Sequence, residues 1–194
     1  MPSNSPPARR SLFAAFWGVG GTALMLAEGI YRLAKTAIDN LVGAELTLGQ
    51  TAFGAAWLTF IVYVEGYRAF QKRFSPRVVA RALHLAEHPR PLHVALAPLY
   101  VMALLHTTRR RLITSWILVA GIVAVILLVR SFPPVWRALI DAGVALALAW
   151  GTAVMIIYFV RGLAGHPMPV GPDLPGEAET RPARPAESGG RAVP

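Results

Sequence analysis

LITSWILVAGIVAVILLV, residues 112–129, runs for eighteen residues without one ionisable side chain. As a helix it would be about 27 Å long at 1.5 Å of rise per residue, close to the ~30 Å hydrocarbon core of a bilayer. The stretch predicts a membrane-spanning helix. It therefore names the solvent against which the rest of the chain has to be read.

Composition agrees with that solvent. Of the 194 residues 55% are hydrophobic and 15% charged, with a positive mean hydropathy that few water-soluble domains reach. Three further segments have the length and apolarity to cross: 12–34, 51–68 and 138–160, the last with Asp141 as its only ionised group. Amphipathic rings stand near the ends of these runs, as headgroup-level aromatics should: Phe13, Trp17, Phe53, Trp57, Trp116, Trp136, Tyr158 and Phe159. Arg9 and Arg10 precede the first run, and no small-x-small cleavage site follows it, so it reads as an uncleaved signal anchor. Small residues form the rows Gly18, Gly20, Gly21 and Gly143, Ala147, Gly151, faces expected to pack on each other. The fold class expected is all-α: a polytopic integral membrane protein with a bundle of four transmembrane helices, five if one awkward segment also crosses.

That segment is PLHVALAPLYVMALLHTT, 91–108, with Pro98 at its middle and Arg109, Arg110 and Arg111 directly behind it. Between Arg68 and Arg111 lie nine basic residues and one acid, Glu87. All nine stay cytoplasmic only if 91–108 is a partial, buried or re-entrant element, and the positive-inside rule favours that threading. The short N-terminus 1–11 and the C-terminus are then cytoplasmic, in a bacterial inner membrane. The net charge of +9 calls for a polyanionic partner, and the apolar runs select the anionic leaflet over nucleic acid. Residues 162–194 are Pro-rich with almost no large apolar side chain, and read as a disordered tail behind a membrane domain of 12–161.

SPRVVARALHLAEHP has a helix start at Ser75-Pro76 and a stop at Pro89. Over 76–88 it places Arg77, Arg81, His84 and His88 on one face and Val78, Val79, Ala82, Leu83 and Ala86 on the other. This predicts a cytoplasmic amphipathic helix, with Arg73, Arg77, Arg81, Arg109, Arg110 and Arg111 contacting anionic lipid. The competing reading is a helix buried in a small cytoplasmic cap.

Candidate polar sites in the membrane are few. Glu28 has Arg32 at i+4 and Glu65 has Arg68 at i+3, so each acid has a partner on its own helix, and Asp141 is expected in the first turn of the last span, where the helix dipole favours a carboxylate. LAEGIYRLAK (26–35) and YVEGYRAFQK (63–72) echo each other. An antiparallel hairpin puts the two acids at opposite membrane faces, so they are not expected to form a paired-carboxylate site. With no cysteine, no phosphate-binding Gly loop and no hydrolase elbow, no metal, cofactor or catalytic residue is assigned. Four His between His84 and His106 leave a His-dependent membrane metalloenzyme as the weakest reading. A non-catalytic accessory, scaffold or assembly factor comes first, with a homo-oligomer or membrane-protein partner. A small transporter or channel using Glu28, Glu65 or Asp141 is the alternative.

Overall fold

A computed structural model describes residues 11–104 and 109–171, and every element of secondary structure among them is a helix. Helix α1 is Leu12–Leu41 and α2 is Leu48–Ile61, which continues without a break into a wide-wound π-helical stretch, Val62–Phe74. Then follow α3 (Ser75–Glu87), two five-residue helices α4 (Pro91–Ala95) and α5 (Ala97–Val101), α6 (Arg109–Val129) and α7 (Pro134–Leu163). Two of them, α1 and α7, are long and apolar enough to cross a membrane.

These two are antiparallel. Phe16 of α1 meets Phe159 of α7 edge to face at 5.1 Å, Gly29 lies against Leu148, and Ile30, Ala34, Ala37 and Ile38 share a groove with Ala142, Ala145, Leu146 and Ala149. On its other flank α7 carries α2 and the π stretch, now in parallel: Phe53 contacts Trp136, Trp57 donates to the Ile140 carbonyl, and Gly66 rests on Trp150. α7 is thus the central helix of a three-helix layer. The core continues at the end where α1 begins and α7 finishes, where Ala14, Ala15, Val19, Val78, Val79, Leu85, Ala97, Val101 and Met155 are buried together.

Local sequence accounts for most boundaries. Thr47 and Gln50 form a complete capping box that starts α2. Pro133 and Pro134 occupy the N-cap and first helical positions of α7, and the helix starts there because Pro needs no partner for its missing N–H at that place. α7 therefore begins four residues before the expected 138, and Asp141 is its eighth residue, two turns in and beyond the dipole's reach. Segment 91–101 is broken at Leu96, leaving two helices of about 7.5 Å each at 1.5 Å per residue. Both lie against the first half of α1.

The small-residue rows do not pack on each other as expected. Gly18 and Gly21 receive Val101 and Pro98 of α5, and Gly143 and Gly151 receive Trp57 and Phe70. Each row is shaped by a bulky side chain from a third element, which a Gly or Ala face accepts as readily as another small face. The reading of 1–10 and of 172–194 falls outside the described residues.

Candidate functional site

α3 is the most enclosed element. Val78, Val79, Ala82, Leu85 and Ala86 are buried against α1, α5 and α7, and so is Arg81, with 1% of its surface exposed. The Arg81 Nε donates to the Tyr100 carbonyl at 2.8 Å, and its guanidinium carbon stands 4.4 Å from the centre of the Tyr100 ring. His93 stacks on that ring at 4.9 Å. A buried cation needs acceptors and polarisable surfaces in place of water, and α5 supplies both through one residue. The broken course of 91–101 makes this geometry, since it turns Tyr100 back towards α3.

The same helix is tied at both ends. Ser75 donates its hydroxyl to the Gly151 carbonyl at 3.0 Å, and the Ser11 amide donates to the Ala86 carbonyl at 2.7 Å. Ser75 does not cap its helix, because Phe74 before it is already helical and the π stretch runs straight into α3. Arg81 was expected at the lipid surface; it lies inside, because α1, α5 and α7 close over the face that a lone interfacial helix would leave open. Arg77 is half-buried and Arg73 exposed. The side chains of Arg109, Arg110 and Arg111 at the start of α6 lie outside the described residues.

Glu28 accepts from Arg32 Nε at 2.6 Å, the expected i,i+4 pair, on an exposed face of α1. Glu65 and Arg68 do not pair. The i→i+5 winding of 62–74, seen in the Ser75 amide donating to the Phe70 carbonyl, carries the i+3 residue off the acid's face. That winding instead aligns Gly66, Phe70, Gln71 and Ser75, all four of which meet α7 at Trp150 or Gly151. Asp141 is 6% exposed and faces Arg137 of its own helix at 3.5 Å.

The three acids occupy three separate places, two on the surface and one inside. Glu28 and Glu65 are not at opposite ends of the bundle: Gly29 lies against Leu148 and Gly66 against Trp150, two residues further along α7. The reason is the length of α1, which runs to Leu41 rather than 34, so that the turn at 42–47 is about equally far from both acids. They are kept apart by α7 standing between their helices. Among the described residues no three His, Asp or Glu converge as a metal site. His84 and His88 stack at 4.8 Å.

No protein-family model, no curated protein and no solved structure matches the chain. Sequence reasoning missed the Arg81–Tyr100 contact, although a basic residue on a helix with an otherwise small, apolar surround was its signal. It also missed the capping box T-L-G-Q at 47–50, which was legible and fixes where α2 begins.

Proposed function

We propose that the chain is a multi-pass protein of a bacterial inner membrane that serves as a non-catalytic accessory, scaffold or assembly factor. The observation that carries this reading is the distribution of polar groups. Glu28 and Glu65 are exposed on separate helices, Asp141 is enclosed with Arg137, and the buried cation Arg81 ties two helices together. Such a pattern stabilises a shape; a transport path would line a common route with its acids.

Membrane residence is supported by what the long helices expose: Phe13, Phe16, Leu24 and Met25 on α1, and Ile156, Ile157 and Val160 on α7. On α6, Ile113, Trp116, Ile117, Val125, Leu127 and Leu128 are also exposed. The antiparallel α1 and α7 favour an even number of crossings, four, with both chain ends in the cytoplasm beside the anionic leaflet.

Blue-native electrophoresis of gently solubilised membranes should find the 20.9 kDa chain in a larger complex. Proteoliposomes of the pure protein should conduct no more than empty ones. Flux that is lost in Glu28→Gln or Glu65→Gln would overturn the accessory reading in favour of a transporter.

A further inference from the structure

The echo between 26–35 and 63–72 acquires a spatial meaning once both copies are laid on α7. Gly29 touches Leu148 and Gly66 touches Trp150, positions two residues apart, which is about 3 Å of helix rise. Each Gly carries an acid before it and a Tyr and an Arg behind it. The same level holds Gln71, which accepts from the Trp150 indole at 3.0 Å, and Lys72, whose ammonium lies 4.5 Å from the centre of the Tyr67 ring. Tyr63 stacks on Tyr67 at 6.0 Å. Tyr31, Tyr63 and Trp150 are exposed, and so are Glu28, Arg32, Glu65, Arg68, Lys72 and Arg73.

Amphipathic rings and charges of both signs at one height are the composition of a headgroup layer. Hydrocarbon would leave every one of these exposed charges unsolvated. The π winding belongs to the same feature, because it keeps 66–75 beside Trp150 and Gly151 where an ordinary helix would have moved on along α7. Basic groups outnumber acids in the ring, Arg32, Arg68, Lys72 and Arg73 against Glu28 and Glu65, which matches an anionic headgroup.

We infer that the two Glu-Gly steps, with Trp150 between them, form one girdle that seats the bundle in the phospholipid headgroup layer of a single membrane face. The inference rests on the membrane reading above and departs from a simple hairpin of spans, which sends Glu28 and Glu65 to opposite faces.

The chain has no cysteine, so single-cysteine variants need no altered background. Arg32→Cys and Arg68→Cys, both at exposed positions, are prepared with Glu45→Cys in the α1–α2 turn and Gly165→Cys beyond α7 as markers of the two sides. Sealed vesicles of phosphatidylethanolamine and phosphatidylglycerol are treated with a membrane-impermeant maleimide from one side, then from the other. Residues 32 and 68 should label from the same side, and spin labels there should report matching depths near the phosphates. Labelling from opposite sides overturns the girdle. So does protection of both from either side, which would place them in hydrocarbon. Tyr31→Cys and Tyr63→Cys repeat the comparison if either arginine variant fails to accumulate. Extraction of the chain by alkaline carbonate would sink the membrane reading and the girdle with it, and is seen before any labelling.

Discussion

Replacing Gly151 by Ala adds one methyl group at a point where α7 has no room for it. A Cβ there would stand 2.7 Å from the Cβ of Phe70 and still nearer to two atoms of its ring, whereas carbon atoms rest at about 3.5–4.0 Å. The obstacle lies at the root of the Phe70 side chain, so a change of rotamer cannot clear it. Helix α7 and the π stretch would have to separate, and Ser75 would move away from the Gly151 carbonyl it now bonds. Overpacking of this kind costs about 1–3 kcal/mol, against which Ala gains up to about 1 kcal/mol over Gly in a helix interior. Gly20→Ala is the matching control, since α1 offers nothing within 4 Å of a Cβ at that position. It should therefore show the propensity gain alone. Unfolding in mixed micelles of dodecyl maltoside and SDS, followed by helical circular dichroism, should separate the two variants by about 1–3 kcal/mol, the clash itself. Adding Phe70→Leu to Gly151→Ala should recover part of the loss as a coupling between neighbours. If both glycine variants unfold at the same SDS mole fraction, the parallel packing of 62–74 on α7 is wrong.

Other substitutions probe other joints. Arg81→Gln should destabilise by about 1.5–3 kcal/mol, the worth of a hydrogen bond from a charged donor, and Arg81→Lys should recover only part because an ammonium lacks the planar fork; SDS unfolding and proteolysis between α3 and α5 measure both. Ala103 holds a left-handed φ of +60°, so Ala103→Gly should stabilise the chain by up to about 1 kcal/mol in the same unfolding assay. Arg32→Gln removes an exposed i,i+4 pair and should change stability by no more than about 0.5 kcal/mol. Alkaline-phosphatase fused to the C-terminus should be inactive and a fluorescent protein there bright; active phosphatase would refute the four-crossing threading with both ends in the cytoplasm.

The helical class was legible because period and apolarity are local properties; the starts of α2 and α7 lie at 48 and 134 rather than the expected 51 and 138, because hydropathy marks where apolar residues begin and the capping box and the proline pair mark where the helix does. Packing was not legible. Four residues on one face of 76–88 looked like a lipid-facing stripe, since nothing in that stretch says that Arg81 will be enclosed while His88 stays exposed and Arg77 and His84 half-buried. Arg81 shows the limit: a basic residue marks a place that must be solvated, and whether the solvent is water, a headgroup or a tyrosine is decided by an element nineteen residues away.

The echoed Glu-Gly steps carry the same lesson further. Their order along the chain implies opposite ends of a hairpin only if both helices keep the ordinary pitch and the turn falls where hydropathy first drops. Neither condition holds. α1 continues through Lys35 and Asp39, whose ion pair at 2.9 Å supports the helix on a face that hydropathy alone would end. The π stretch then spends its residues crossing α7 rather than descending beside it. Two departures in the same direction bring the repeats level. A motif repeated on either side of a turn is therefore a statement about height only after the turn and the pitch are known, and here both had to come from three-dimensional packing: Gly29 on Leu148, and Gly66, Phe70 and Ser75 on Trp150 and Gly151.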